Sequence, residues 1–189
     1  MSAAPKGPPG LKISVVGPSG SGKSTIANYL ASESEGSSAF KVAPTYTQTV
    51  GCRILECERT IDGPLMPIEL WDTGGSTDYE SCWPAVMKDT DGVVLVYNPE
   101  NEGHVSESGA WYDFFVKNNS LSDDQCIVFA FAPNAQPEIR PRTSPKLQHL
   151  NVVNITIEDG QTLLHQFDRF LRQVKKKLDT KAKKTAEFK

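Results

Sequence analysis

The sequence predicts an α/β protein in which a mainly parallel sheet lies between helices. Short apolar runs alternate along the chain with segments whose apolar residues recur at helical spacing, which is typical of this class. Residues 93–97 and 127–132 are apolar at every position, as expected of parallel strands buried on both faces. Asp62-Gly63-Pro64 is a turn signal between residues 51–61 and 66–71, and it predicts one antiparallel hairpin.

Six strands and four main helices are predicted in order. The strands are expected at residues 11–16, 51–61, 66–71, 93–97, 127–132 and 150–157. Helices are expected at about 24–32, within 77–89, at 105–117, and from 161 to about 178, where an apolar stripe continues at helical spacing. Residues 33–49 have no periodicity and predict a long loop, whereas residues 133–149 contain four prolines and predict an irregular connection.

The ends of the chain differ in composition from its centre. Residues 1–10 are rich in Pro, Gly and Ala and predict a flexible leader, residues 11–178 form the folded domain, and residues 179–189 form a basic tail that we expect to be flexible. Residues 169–189 hold nine Lys or Arg against two Asp or Glu, although the net charge of the whole chain is −3. Lys175-Lys176-Lys177 and the lysines of 181–184 therefore fit a solvated helix end, an acidic coiled coil, a membrane surface or a nucleic acid, of which the first is the commonest.

The cysteine pattern and the composition also indicate in which cellular compartment the protein is expected. The four cysteines, Cys52, Cys57, Cys82 and Cys126, have no C-x-x-C spacing, so we expect buried reduced thiols and a cytoplasmic protein. The sequence has no run of about 18 apolar residues, has Ser2 rather than a glycine directly after Met1, and has no cysteine near its end. We therefore expect no membrane anchor in this chain.

The strongest motif is G-x-x-x-x-G-K-S, which lies between the first predicted strand and the first predicted helix. In that context the glycines let backbone N–H groups converge on phosphates, and the helix N-terminus adds partial positive charge. The lysine reaches the β- and γ-phosphates and the serine hydroxyl binds Mg²⁺. The candidate phosphate-binding residues are Gly17, Ser19, Gly20, Ser21, Gly22, Lys23, Ser24 and Thr25.

A second motif, D-x-x-G, begins at Asp72, at the end of the hairpin's second strand. A carboxylate at this place holds Mg²⁺, and the N–H of Gly75 meets the γ-phosphate. The third part of such a site is a threonine before the hairpin, where Thr49 fits by position and Thr45 and Thr47 are alternatives. The candidate metal ligands are therefore Ser24, Thr49 and Asp72.

The stretch from Trp71 to Tyr97 resembles the Rab branch of Ras-like GTPases, and the resemblance covers residues 11–178. Within that branch, three unusual strings resemble the Rab-like subunit of the intraflagellar transport machinery: Gly51-Cys52-Arg53-Ile54-Leu55-Glu56, the eleven residues 79–89, and Trp111-Tyr112-Asp113-Phe114-Phe115-Val116. The resemblance implies a Ras-like phosphate-loop fold. It also implies GTP or GDP with Mg²⁺ as ligand, a place in transport complex B, coiled-coil partners, and a location in the cytoplasm and the cilium or flagellum.

Three departures from an ordinary GTPase accompany this resemblance. Ser76 stands where a glutamine orients the attacking water, and its hydroxyl is too short for that role, so we expect slow or absent hydrolysis. The guanine-reading N-K-x-D motif is replaced by residues 132–138, in which Glu138 stands one position after the expected carboxylate. No S-A-K motif follows the last strand, where Thr156-Ile157-Glu158 stands instead.

Two hypotheses follow, with a third from another class. In the first, the chain is an assembly subunit in which GTP and Mg²⁺ order residues 33–50 and 73–88 to form a partner surface, with no role in nucleic-acid binding. In the second, it is a true switch GTPase activated by a partner in trans. A phosphate-loop kinase is disfavoured because the 33–50 loop has Lys41 as its single basic residue, where a kinase lid needs arginines. Trp83 fits either a partner surface or the core.

Overall fold

A computed structural model describes residues 10–32, 47–134 and 141–187. Its strands are β1 (Leu11–Val16), β2 (Cys52–Thr60), β3 (Leu65–Thr73), β4 (Gly92–Tyr97), β5 (Cys126–Phe131) and β6 (Val152–Ile155). They form one six-stranded sheet in the order β2-β3-β1-β4-β5-β6. β2 and β3 form an antiparallel hairpin, whereas the other neighbouring strands are parallel. The predicted α/β class, the six-stranded sheet and the single antiparallel pair are confirmed.

Four α-helices connect the strands. They are α1 (Lys23–Ala31), α2 (Trp83–Met87), α3 (Glu102–Tyr112) and α4 (Gly160–Glu187). Helices α1 and α4 cover one face of the sheet, since Ile26, Leu30, Phe167 and Phe170 pack with β1 and β5 residues in one buried cluster. Helices α2 and α3 cover the other face, where Trp83 and Phe115 join a second cluster. The predicted arrangement with helices on both faces is therefore confirmed.

Two element boundaries differ from the sequence prediction because side chains cap them. Helix α3 begins at Glu102 rather than 105, since the Asn101 side chain accepts hydrogen bonds from the N–H groups of Gly103 (2.9 Å) and His104 (3.2 Å). It continues into a π-helical turn, Asp113–Lys117. Strand β6 ends at Ile155 rather than 157, because the Asp159 carboxylate accepts a hydrogen bond from the Thr156 N–H (2.8 Å) and starts a turn.

The C-terminal residues form helix where the sequence predicted a separate flexible tail from 179. Helix α4 continues without interruption to Glu187. Its apolar stripe is buried as far as Val174, and an ion pair between Lys177 and Asp124 (3.0 Å) adds a contact further along. The lysines and alanine that follow are good helix formers, so they continue a helix that is already nucleated. The predicted leader (1–10) lies outside the described residues except for Gly10, and so does most of the predicted loop (33–49).

Trp83 is a core residue. Its side chain is 8% exposed, and its ring centroid lies 4.4 Å from that of Trp111 and 5.1 Å from that of Phe114. Phe115 stacks on Trp111 at 5.6 Å and completes the group. We call Trp83, Trp111, Phe114 and Phe115 the aromatic cluster. Of the two roles that the sequence left open for Trp83, the structure supports core packing.

The cysteines are all free, as predicted, but they are not all buried. Cys126 is buried in β5, Cys52 and Cys57 are half-buried, and Cys82 is exposed. Within the described ranges no group of three or more His, Cys, Asp or Glu side chains could hold a metal ion by itself. No helix in those ranges is both long and apolar enough to cross a membrane.

Candidate functional site

The loop between β1 and α1 folds into a tight cradle that depends on its glycines. Gly17 has a φ of 139°, and a Cβ atom there would lie 2.0 Å from the Val96 carbonyl oxygen. Gly22 has a φ of 93°, and a Cβ atom there would lie 2.3 Å from the Phe131 ring. Any other residue would be strained and would push the loop away from β4 and β5. The loop is therefore held flat against the carboxyl ends of two strands.

A cavity of about 250 Å³ opens over this cradle. It lies at the carboxyl edge of the sheet, where ligands bind in open α/β folds. Gly20, Ser21, Gly22, Lys23, Ser24, Thr25, Thr49 and Gly75, all predicted from the sequence, line it together with Asn28, Thr47, Asn98, Phe131 and Pro133. The structure thus brings eight of the predicted site residues into one wall.

Lys23 is a buried cation in this wall. Its side chain is 6% exposed, and Nζ donates a hydrogen bond to the Pro18 carbonyl oxygen at 2.7 Å. Burial lowers the pKa of Lys23 to about 8, although attraction to Asp72 opposes the shift. A cation that is partly stripped of water binds an anion more strongly than a solvated one.

Ser24 and Thr49 meet inside the cavity although 25 residues separate them. The Ser24 Oγ and Thr49 Oγ1 atoms lie 2.9 Å apart, within hydrogen-bond distance. Thr47 also lines the cavity, whereas Thr45 lies outside the described residues. This contact favours Thr49 among the three threonines that the sequence offered.

Asp72 supplies a buried carboxylate at the end of β3. Its side chain is fully buried, and Oδ1 has no hydrogen-bond partner among the described residues. The buried Ser21 Oγ atom has none there either. Unpaired buried oxygens are rare in native proteins unless a ligand or ion completes them. The candidate ligands Ser24, Thr49 and Asp72 all offer oxygen atoms, the donors that Mg²⁺ prefers, so their chemistry fits this metal.

Gly75 packs directly on the cradle. A Cβ atom at Gly75 would lie 2.5 Å from the Ser19 nitrogen and 2.6 Å from Lys23 Nζ. The preceding Gly74 donates its N–H to the Gly51 carbonyl oxygen at 2.7 Å, which joins this turn to the strand that follows Thr49. The three separate sequence motifs are therefore in physical contact.

The Ser76 hydroxyl makes its hydrogen bonds within its own turn. Its Oγ accepts a hydrogen bond from the Asp78 N–H at 3.2 Å and donates one to the Asp78 Oδ2 atom at 2.9 Å. It thereby caps the short 3-10 turn Thr77–Cys82. Both hydrogen-bonding directions of the hydroxyl are used locally.

His104 also lies against the cradle. Its side chain is buried, Nδ1 accepts a hydrogen bond from the Asn98 N–H at 3.3 Å, and the ring also hydrogen-bonds the Ser19 backbone. Burial lowers its pKa, an effect that Lys23 reinforces and that Ser19 and Glu107 oppose. No local motif marks this residue, because its role depends on α3 packing beside the cradle. Asn28, Asn98 and Phe131 also line the cavity and were missed, because no local motif marks them.

The altered base-reading segment is only partly described. Pro133 lines the cavity next to Phe131, but residues 135–140, which include Glu138, lie outside the described residues. The prediction about Glu138 therefore stays a prediction.

Comparisons with known proteins agree with this geometry. Residues 12–132 match the family described as "Ras of Complex, Roc, domain of DAPkinase". The chain is 33% identical to the Danio rerio intraflagellar transport protein 22 homolog over 176 aligned residues. The alignment covers 89% of this chain and 91% of that protein. It is 36% identical over 171 residues to the Homo sapiens homolog, over 86% and 89% of the two chains.

The chain belongs to the intraflagellar transport protein 22 family.

Solved structures of this family have the same fold. The GTP-bound Trypanosoma brucei IFT22/74/81 crystal structure superposes with a TM-score of 0.69 at 28% identity, over 87% of this chain and 93% of that chain. The GDP-bound T. brucei IFT22 structure gives a TM-score of 0.65 at 27% identity, over 90% of this chain and 98% of that chain. The Ras-like fold and the family resemblance predicted from the sequence are confirmed.

Proposed function

We propose that this chain is a guanine-nucleotide-binding, small-GTPase-like subunit of intraflagellar transport complex B, needed to assemble cilia or flagella. The observation that carries this proposal is the convergence of Lys23, Ser24, Thr49 and Gly75 on one cavity, with the buried Asp72 carboxylate interacting with Lys23. It is supported by the T. brucei family members that were solved with GTP and with GDP. The protein acts in the cytoplasm and in the cilium or flagellum.

The chain's own residues suit the phosphates of GTP or GDP. The cradle N–H groups and Lys23 bind the phosphate oxygens, and Ser24, Thr49 and Asp72 hold Mg²⁺. The metal supplies positive charge that offsets the phosphates. Because Thr49 and Gly75 come from the two segments that flank the β2–β3 hairpin, nucleotide binding stabilises both segments at once.

The same hairpin offers a surface for a partner. Val50 and Ile54 are 75% and 50% exposed, which is unusually high for large apolar side chains. Val50 directly follows Thr49, and Ile54 lies in β2. A relative of this chain was crystallised with IFT74 and IFT81. We propose that the nucleotide-ordered hairpin docks on coiled-coil subunits of complex B.

The nucleotide acts as a structural ligand that is hydrolysed very slowly or not at all. Replacing Ser76 by Gln restores a side chain long enough to orient water, and we expect single-turnover GTP hydrolysis to accelerate by roughly tenfold or more. Ser76→Ala is the matched control, because it removes the same local hydrogen bonds without adding an amide. Wild-type hydrolysis as fast as that of unassisted active Ras proteins would contradict the slow-hydrolysis proposal.

The alternative is a switch GTPase whose missing catalytic groups come from a partner. It predicts that adding the coiled-coil partner accelerates phosphate release from the wild-type protein. Under our proposal, the partner leaves the release rate unchanged.

The most direct test is to purify the protein, extract its ligand and identify it by mass. We expect GTP or GDP, and we expect the nucleotide-loaded protein to bind the coiled-coil partner more tightly than the stripped protein. An adenine nucleotide, or a protein that binds neither GTP nor GDP, would overturn the proposal.

A further inference from the structure

Arg53 clamps the metal-site carboxylate from the neighbouring strand. It stands opposite Asp72 in the antiparallel β2–β3 pair. Its Nε and Nη2 atoms lie 3.0 and 2.7 Å from the same oxygen, Asp72 Oδ2. Nη2 also donates to the Asn28 Oδ1 atom of α1 at 3.2 Å, which fixes the guanidinium on a second element.

This contact gives the two oxygens of Asp72 different surroundings. Oδ2 is saturated by two charged donors, whereas Oδ1 stays without a partner among the described residues. A carboxylate held in this way cannot rotate to offer both oxygens to an ion. Arg53 therefore leaves Oδ1 as the oxygen that is free to take a further partner.

The clamp also changes the charge of the cradle. The fully buried Asp72 carboxylate has Arg53 in direct contact on one side and attracts the buried Lys23 on the other. Two cations thus share one anion before any metal arrives. Lys23 and Asp72 are buried and therefore weakly screened, whereas Arg53 is 42% exposed; once Arg53 pairs with Asp72, the positive charge that acts on phosphates in the cavity is mainly that of Lys23.

We propose that Arg53 is a positioning residue for the metal site, and that it makes nucleotide retention less dependent on Mg²⁺. The inference rests on the proposed function, because it concerns the same nucleotide. Without the metal, Arg53 keeps Asp72 paired and leaves the cradle net positive, so the phosphates stay bound. Without Arg53, the unpaired Asp72 charge repels the phosphates until Mg²⁺ neutralises it.

Release of fluorescent N-methylanthraniloyl-GDP, with Mg²⁺ and with EDTA, measures this dependence. The ratio of the two release rates should be about ten or less in the wild-type protein and rise about tenfold in Arg53→Gln, which corresponds to 1.4 kcal/mol. Arg53→Lys retains the charge but loses the two-donor contact with Asp72 Oδ2, so its ratio should lie between those of the wild type and Arg53→Gln. Thermal unfolding of each nucleotide-free variant separates a loss of stability from a change in metal dependence.

Arg59→Gln is the matched control on the same strand. Arg59 also ties β2 to α1, through a hydrogen bond from Nη2 to the Leu30 carbonyl oxygen at 2.6 Å, but its partner is not a carboxylate. We expect this variant to lose stability and to keep the wild-type ratio.

Three results would overturn the inference. One is an Arg53→Gln protein that is less stable but has the wild-type ratio, and another is an equal rise in Arg59→Gln. The third needs no variant: if EDTA accelerates release from the wild-type protein on the order of a thousandfold, the clamp does not lower metal dependence. A wild-type protein that binds no guanine nucleotide would instead refute the proposed function, so the two failures are distinguishable.

Discussion

Lys23→Met should weaken nucleotide binding by about a hundredfold and yet stabilise the nucleotide-free protein. Methionine fills the space of the lysine stem but cannot donate to phosphate. The pKa of Lys23, lowered to about 8 from 10.5, means that burying its charge costs about 3 kcal/mol without a ligand. Losing the hydrogen bond to Pro18 costs about 1 kcal/mol, so the free energy of unfolding should rise by about 2 kcal/mol.

The pH dependence of stability and of nucleotide affinity also tests the role of the buried Lys23 charge. Between pH 8 and 10.5 the unfolded chain keeps the Lys23 proton and the empty folded protein releases it, so the stability of the empty protein should rise with pH in this window. Nucleotide affinity should fall in the same window, since the cation is lost. Urea unfolding and fluorescent GDP binding at pH 7 to 10 measure both trends, and Lys23→Met should remove both.

The exposed Lys176 provides the control, because Lys176→Met removes an equal charge from the surface of α4. We expect it to leave affinity and stability within about 0.5 kcal/mol. A Lys23→Met protein that is less stable than the wild type without nucleotide would contradict the role assigned to this buried charge.

Trp83→Ala should destabilise the protein by about 3–5 kcal/mol, the range measured for large buried aromatic side chains. The ring is 8% exposed and lies within 6 Å of three other rings of the aromatic cluster, so its removal leaves a cavity between α2 and α3. Helix α2 has just five residues and depends on this contact for its position. Urea unfolding measures the loss.

Leu65→Ala is the comparison for this variant. Leu65 is 53% exposed at the start of β3, so its truncation should change stability by about 0.5 kcal/mol or less. A Trp83→Ala protein as stable as Leu65→Ala would show that the cluster does not hold α2 on the sheet, and Trp83 would again be available as a partner contact.

Local patterns predicted the fold well because its strands and helices are marked by local chemistry. The continuous apolar runs of β4 and β5 and the glycine turn of the hairpin each specify one element without reference to the rest of the chain. Boundaries were less accurate where a single capping side chain decides them, as Asn101 does for α3. The predicted end of α4 was wrong, because charged composition alone does not distinguish a solvated helix from a flexible tail.

The candidate site divides in the same way. Gly17 to Thr25 and Asp72 to Gly75 could be found from the sequence, because close backbone approach to phosphate demands glycines at fixed spacing. Asn98 and His104 could not be found, since each becomes part of the site through packing between elements that are distant in the chain.

Eight consecutive residues were enough to predict a phosphate cradle between a strand and a helix, because that arrangement is a local property of the chain. The contacts of Thr49 with Ser24, of His104 with the cradle and of Arg53 with Asp72 became evident only from the folded protein. These contacts join residues between 19 and 85 positions apart. The sheet order and the helix packing bring such residues together, and neither can be read from neighbouring residues.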